Sequence, residues 1–530
     1  MPVDPWHVGV AGLPLVFLLV VLLGLRWPGP RAGVAALGLT ALLAVTVFGL
    51  PILGAATALG RAVALSVDVL YIIWTALALY QIAELTGAIR GIGEAIARLT
   101  EDHVLQLLII GFAFTSFLQG VEGFGVPVAV TAPLLLGLGF RPLEAAAVPL
   151  VAHSWAVGLG TLATAFQALR VVTGLPAREL ALDIAILGGV TALSTGFAVT
   201  HIHAGWRPMR RVFGATALMG LTMGLVQLLV VWTGNWTIGT SVASMVALAV
   251  GLQLARWTRR YGAGLGGLLP QWPPSEGRRE PPRPPVPAVS RMSFHLAFLP
   301  YYVLLVLVGL TTFIAPLHAV LSAVRITIEF PATVTSLGWT TDRARSALPI
   351  LGHPGALILY AAAVSALLFA RLGHRPPLSA LWRHTARQAV PTTITILALV
   401  GVAMLMVHSG MTYLLASGLA RAGGIFPFLA PFIGVLGAVI TGSNTNSNVL
   451  FGALQRDAAI LLRLDPVLIG ALQTAGASLG SMVTPAKVVL ATATTGLAGQ
   501  EGLVMRVTGR YLLVLTTLLG LIGLGWSLLW

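Results

Sequence analysis

Long apolar runs recur along almost the whole chain, and they limit its possible folds more than any other feature. A helix needs about 20 mostly apolar residues to cross the hydrocarbon core of a bilayer. Runs of that kind are predicted to span near 8–25, 32–50, 62–82, 143–168, 181–202, 212–233 and 237–255. A second set lies near 294–316, 354–371, 388–408, 467–498 and 511–530. Only 9% of the 530 residues are charged and the mean hydropathy is +0.91, whereas a soluble protein carries about a quarter charged residues. A cytosolic enzyme is thereby excluded. The expected class is an all-α polytopic membrane protein with about 12 membrane-spanning helices. The first run has no basic leader and no small-residue cleavage site, so it is expected to remain in the mature protein. With no cysteine, the chain has no disulfides, thiolate-held zinc or iron–sulfur clusters.

The net charge of +14 reports topology rather than nucleic acid, because the arginines form no binding stripe and sit between the apolar runs. They cluster at Arg26 and Arg31, at Arg207, Arg210 and Arg211, and at Arg256, Arg259 and Arg260. Later clusters are Arg371, Arg375, Arg383 and Arg387, then Arg506 and Arg510. If every cluster is cytoplasmic, each intervening stretch crosses an even number of times. The span list satisfies this and places both termini outside a plasma (inner) membrane. The hydrophilic segment 257–292, rich in Pro, Gly and Arg, reads as a disordered cytoplasmic linker.

That linker lies near the midpoint and divides the chain into 1–256 and 293–530. A shift of 324 residues aligns span 32–50 with 354–371 and 62–82 with 388–408. It also aligns the stretch 87–99 with 411–423, Pro142 with Pro466, and the Gly-rich segment 119–127 with 443–451. By the arginine pattern the two halves lie in opposite orientation, which describes an inverted-topology repeat of the kind built around midplane binding sites on broken helices. Two stretches read as such broken helices: 143–168, interrupted by Pro149, Gly158 and Gly160, and 467–498, interrupted by Gly476, Gly480 and Pro485.

Two further apolar stretches are too short to cross and return around polar tips. They are 104–140, with tip Gln119 to Pro127, and 424–463, with tip Thr441 to Asn448. Irregular backbone at membrane depth survives only inside protein or against a wet cavity, so both are expected to be re-entrant hairpins. The first would enter from the cytoplasm, the second from outside. Half-helix N-termini at such tips offer free N–H groups to a carboxylate, Asn and Ser side chains add donors, and exposed carbonyls suit a cation. Small-residue packing is the competing reading; it accounts for the glycines but not for the density of polar side chains at 443–448.

The runs GVEGFGVPVAVTAPLLLGLGFRPLEAA, ITGSNTNSNVLFGALQ and GASLGSMVTPAKVVLATATTGLAGQEG are similar to the glycine-rich motifs of the bacterial L-lactate permease family. The resemblance covers both hairpins, both broken helices and the C-terminal end. It implies a secondary transporter of lactate and related 2-hydroxy acids such as glycolate, moved with a proton, in the ion-transporter superfamily fold. Ser443-Asn444-Thr445 also resembles the hairpin motif of sodium-coupled dicarboxylate carriers, which keeps a sodium-coupled organic-anion carrier as the alternative. The chain departs from the family pattern in three places. The acidic residue expected where Gln119 stands has moved to Glu122, about one helical turn away; Asn444 stands where the family has Asp; and Lys487 replaces an uncharged residue.

Ionisable residues inside a membrane are rare and costly, so they are candidates for function. Glu122 is the first candidate for carrying the coupled proton; Asp68, expected like His408 to be structural, is the better of those two as a relay. The competing reading of Glu122 is a structural salt bridge or a wet loop. Lys487, the chain's one lysine, could pair with a substrate carboxylate or with Glu122, or snorkel to the interface. His153, beside Ser154, could donate to substrate or relay protons, or simply pack. His408 is expected to be structural, while Glu84, His201 and His203 are expected at the interface. The expected substrate-binding set is Ser443, Asn444, Thr445, Asn446, Gly123, Phe124, Gly125, His153, Ser154 and Lys487, with Glu122 and Asp68 for proton coupling. No enzyme chemistry, cofactor or metal site is expected. The expected partners are a small monocarboxylate and membrane lipid, with no nucleic acid, in a monomer or homodimer.

Overall fold

The computed structural model describes residues 4–25, 27–97, 102–123, 125–261 and 292–529. The chain opens with α1 (Pro5–Leu19), α2 (Gly29–Thr46), α3 (Ile52–Leu85) and the short amphipathic α4 (Ala88–Ala97). Next, α5 (His103–Gln106) runs through a π-helical stretch into α6 (Thr115–Val121), and α7 (Val126–Gly137) follows. Beyond them come α8 (Pro142–Ala152), α9 (Gly160–Thr173), α10 (Ala177–Ala204), α11 (Trp206–Trp232) and α12 (Trp236–Tyr261). After residue 291 lie α13 (Phe294–Ala297), α14 (Leu299–Phe313) and α15 (Ala315–Ala323), then strands β1 (Arg325–Phe330), β2 (Thr333–Val334), β3 (Thr340–Thr341) and β4 (Ala344–Pro349). The last series is α16 (Pro354–Arg371), α17 (Leu378–Ser409), α18 (Met411–Leu419), α19 (Phe426–Thr441), α20 (Asn444–Leu461), α21 (Pro466–Gly480), α22 (Pro485–Thr494) and α23 (Glu501–Ser527).

Two series of elements run in the same order. A long helix, a longer one, a short amphipathic one, a helical hairpin, a broken helix and a final long helix occupy 29–204, and the same succession occupies 354–527. Pro142 opens the broken helix of one series and Pro466 that of the other. Proline is well placed there, since the first turn of a helix has no use for its missing N–H. The repeated succession is narrower than the sequence halves, because α1, α11, α12, α13 to α15 and the strands fall outside it.

Twelve helices among the described residues are long and apolar enough to cross a bilayer, or up to 14 if each of two bent pairs is one span. The number matches the sequence expectation, but the membership differs. His103–Val121 qualifies by length and is wholly buried, whereas the predicted span 294–316 breaks at Ile314, where α14 and α15 meet at 94°. Helix α12 continues to Tyr261, so residues 257–261 of the expected linker are helical; 262–291 lie outside the described residues. The helical membrane class holds, and four short strands are added to it. Phe330 pairs with Ala344 and Thr333 with Thr341 in two small antiparallel sheets. Their signal was the alternation of Arg-Ile-Thr-Ile-Glu-Phe, too short to register against runs of about 20 residues.

Both hairpins form. The return arm α7 has 12 residues, too few to cross at about 1.5 Å per residue, and it packs on α6. Between α19 and α20 the pairing is antiparallel: Ser447 Oγ donates to Gly434 C=O at 2.9 Å and Gln455 Nε2 to Ala430 C=O at 3.0 Å. Helix α21 presses against the same arm so closely that a Cβ on Gly476 would sit 2.0 Å from Pro431 O. Backbone cannot retreat as a side chain can. Gly476→Ala is therefore expected to lower the unfolding temperature of the detergent-solubilised protein, with a cost at or above the about 1–3 kcal/mol of ordinary overpacking. Gly502→Ala, with open space around it, is expected to leave that temperature nearly unchanged.

Candidate functional site

The first tip begins where α6 runs out at Val121. Glu122 leaves the helix in an extended conformation, its N–H still donating to Leu118 C=O at 2.7 Å, and its side chain is buried. Gly123 has no room for a side chain, because a Cβ would fall 2.2 Å from Thr161 Oγ1. Gly125 caps α7 at φ 96°, in the left-handed region that glycine tolerates. Phe124 lies outside the described residues. Gln119 reaches from α6 to Thr161, Nε2 to Oγ1, at 3.2 Å. Its Oε1 is buried and accepts no hydrogen bond among the described residues.

Thr161 belongs to the break in the first broken helix. Thr161, Leu162 and Ala163 all hold left-handed backbone, with φ of 48°, 53° and 62°. For residues carrying a Cβ this costs about 1–2 kcal/mol each, and such strain persists only where the surroundings over-determine it. Here the surroundings are the first tip on one side and the second hairpin on the other.

The second tip is built differently. Gly442 closes α19 at φ 74°, and Ser443 caps α20 by accepting the Asn446 N–H on its Oγ at 3.5 Å. Asn444 turns inward and its amide nitrogen donates to Ser478 Oγ at 2.9 Å and Thr474 C=O at 3.3 Å. One turn on, Asn448 Nδ2 donates to Thr474 Oγ1 at 2.8 Å and, across the halves, to Ala165 C=O at 2.9 Å. Gln473 completes the seam by donating to Ser447 Oγ at 3.0 Å. Asn444 and Asn448 thus use their donors to seat α20 on α21 and α9, while Ser447 donates to α19 and accepts from α21. Ser443, Thr445 and Asn446 remain half-exposed, and the side chains of Thr445 and Asn446 make no hydrogen bond among the described residues.

The two broken helices meet at His153, which is fully buried. Its Nδ1 lies 2.8 Å from Pro149 C=O, so that nitrogen carries the proton and donates. Nε2 is left as an acceptor for Lys487 Nζ at 2.9 Å and Ser481 Oγ at 3.1 Å. Lys487 therefore pairs with a ring nitrogen and has no ion pair with Glu122, contrary to one sequence option. Two of its three N–H donors stay available. Ser154 spends its hydroxyl on Val151 C=O at 2.7 Å. Tyr80 and Tyr301 lie near enough to both Glu84 and Glu122 to feel their charge. Glu84 itself is exposed. His201 and His203 diverge, the first to Tyr511 at 2.7 Å and the second to Glu144 at 3.4 Å. Among the described residues no group of three or more acidic or imidazole side chains is arranged to hold a metal.

Asp68 lies apart from the tips, between scaffold and broken helix. From α3 it accepts Gln167 Nε2, faces Arg170 Nη2 at 3.6 Å, and takes His353 Nε2–H at 3.1 Å. His353 caps α16 by accepting the Gly355 N–H on Nδ1 at 3.1 Å. That bond requires a lone pair on Nδ1, so the ring is neutral with its proton on Nε2, aimed at Asp68. The sequence pointed to Thr161, Gln167, His353, Gln473, Thr474, Ser478 and Ser481 only as polar letters in apolar runs. Asp68→Ala is expected to destabilise the protein by about 3–5 kcal/mol, the cost of leaving buried partners uncompensated. Asp68→Asn should lose less, since it still accepts from Gln167 or His353. Thermal unfolding of both purified variants checks the order.

A sequence profile of the family described as L-lactate permease matches residues 8–526. The L-lactate permease of Bacillus subtilis is 30% identical, over 96% of this chain and 94% of its own length. Glycolate permease GlcA of Escherichia coli is 29% identical, over 97% and 94%. Among solved structures, the Alcanivorax borkumensis YdaH transporter aligns over 89% of this chain and 88% of its own, at 15% identity and a TM-score of 0.49. The chain is an integral membrane protein and a permease rather than an enzyme: it belongs to the L-lactate permease family.

Proposed function

We propose that this protein is a secondary transporter that moves L-lactate and related 2-hydroxy monocarboxylates such as glycolate together with a proton, by alternating access. The observation that carries the reading is the convergence of both hairpin tips on one broken helix: the first meets α9 at Thr161, the second at Ala165. A ligand between the tips would touch both repeats at once, as a site that opens alternately to either side requires. The names of the relatives supply the substrate class. In this reading the two series are inverted in the membrane, both termini and the loop carrying the strands face outward, and 262–291 is cytoplasmic. The hairpins and broken helices move against the remaining spans.

The carboxylate of the substrate would lie at the N-terminal turn of α20, where unpaired N–H groups and the helix dipole favour an anion. Ser443, Thr445 and Asn446 border that turn, and the spare donors of Lys487 lie on the neighbouring broken helix. The buried Gln119 Oε1 suits the 2-hydroxyl of a 2-hydroxy acid, because a buried acceptor gains most from a donor that the protein does not supply. Glu122, in the tip beside Gln119, carries the coupled proton. Asp68, held by three partners, tethers α9 to the scaffold instead of relaying protons.

Proteoliposome uptake of labelled L-lactate tests coupling. A pH gradient of one unit, acid outside, should drive about tenfold accumulation at one proton per substrate, and choline in place of sodium should change nothing. Uptake indifferent to pH and dependent on sodium would overturn the proton reading in favour of the sodium-coupled alternative. Glu122→Gln should exchange lactate across the membrane but no longer accumulate it against its gradient. Gln119→Leu should weaken lactate about tenfold or more relative to propionate, which lacks the hydroxyl; equal losses for both acids would remove Gln119 from the site.

A further inference from the structure

A polar cavity lies away from the tips, sharing none of their residues. It holds about 370 Å³, at the small end of the about 300–1,000 Å³ usual for small-molecule clefts. Its walls come from the first turns of α3, the junction of α17 and α18, and the far end of α20; strands β3 and β4 roof it. The roof is pinned down. Trp339 stacks on Tyr413 with ring centroids 5.0 Å apart and donates Nε1–H to Val407 C=O at 2.9 Å. Thr333 and Thr341 hold His408 at 2.9 and 3.3 Å.

Charge is unbalanced inside this cavity. Three arginines (Arg61, Arg343, Arg456) line it against two aspartates (Asp342, Asp457). Asp457 is taken by Arg456 at 2.6 Å, and Arg456 also donates to Thr173 C=O at 2.7 Å at the end of α9. Arg61 and Arg343 have no carboxylate within ion-pair distance among the described residues. Among the described residues the one polar partner of Arg61 is His408, at 3.5 Å. Because the guanidinium has only donors, His408 Nε2 must accept, and the ring is then neutral, with Nδ1–H facing Thr333. Arg61 is half-buried, in a chain where a desolvated charge is costly without a counter-charge. Its planar fork fits a carboxylate bidentately.

We propose that this cavity is a binding site for a small carboxylate, with Arg61 as its anchor and Arg456 and Arg343 as flanking charge, acting as a vestibule on the face where the strands lie. Its role as a vestibule rests on the transport reading above; its binding of a carboxylate does not. Arg456 ties the vestibule to α9, so occupancy of the cavity bears on the same broken helix that both tips hold.

The absence of native cysteine makes the test direct. Thr340, exposed on β3 at the rim, is replaced in Thr340→Cys, and the purified full-length protein is labelled with an anionic or a cationic methanethiosulfonate reagent. Adding Arg61→Gln should reduce the ratio of anionic to cationic labelling rates by at least about fivefold, the effect of one unit charge at about 4 Å even in water. Arg61→Lys should preserve the ratio, and both variants should elute as folded protein. L-lactate at constant ionic strength should slow anionic labelling in the Arg61 background and not in Arg61→Gln. Neutral lactamide should not slow it. Ratios unmoved by Arg61→Gln, or protection by chloride equal to that by lactate, would overturn the proposal. The labelling needs no transport. A protein that shows lactate protection but no uptake sinks the transport reading and keeps the site.

Discussion

Irregular backbone at membrane depth must find its hydrogen bonds inside the protein, and this architecture follows from that requirement. An unpaired backbone amide or carbonyl in hydrocarbon costs several kcal/mol, yet the chain interrupts four helical elements there. Side chains from elsewhere brace these interruptions. Gln119 meets the break at Thr161, Asn448 crosses between the two series to Ala165, and Ser481 and Lys487 meet His153. Each interruption in one series is supported by another element, and two of these supports come from the other series. The central site can therefore exist only in the assembled molecule.

This divides the polar residues of the tips into two groups with different work. Asn444, Ser447, Asn448 and Gln473 form the seam between α20 and α21, where satisfied bonds make a polar network rigid. Ser443, Thr445 and Asn446 are half-exposed on the other side of the same turn. Small residues serve both groups, since Gly123 and Gly476 let backbones approach to distances that a Cβ would forbid. Packing and function do not compete for this motif: the packing places the donors.

With few charges in so apolar a chain, each buried one has a legible position. Asp68 is matched by Arg170, Gln167 and His353, and so fastens α9 to α3 and to the cap of α16. Lys487 faces a neutral ring and retains donors. Among the described residues Arg61 likewise faces a neutral ring, under a roof of strands. Asp68 is thus fully matched within the protein, whereas these two cations are matched only by neutral rings among the described residues.

The apolar runs by themselves determined that this chain is a helical membrane protein, because only a helix satisfies its backbone within one segment and apolar length is readable locally. Glycine and proline likewise marked where helices break, and the 443–448 run marked a tip, since those residues act on their own backbone. The sequence could not rank His103–Val121 against 294–316 as a span, because one lies wholly inside the bundle and the other bends, and both read as apolar. Nor could it show which of six neighbouring polar residues face inward, that Lys487 meets His153 and not Glu122, or that residues 325–349 form strands over Arg61. Those outcomes depend on partners 10 to over 300 residues away, such as Ser447 with Gly434 and Lys487 with His153. Only tertiary structure decides them, because a side chain's role in a low-dielectric interior is set by whatever satisfies it.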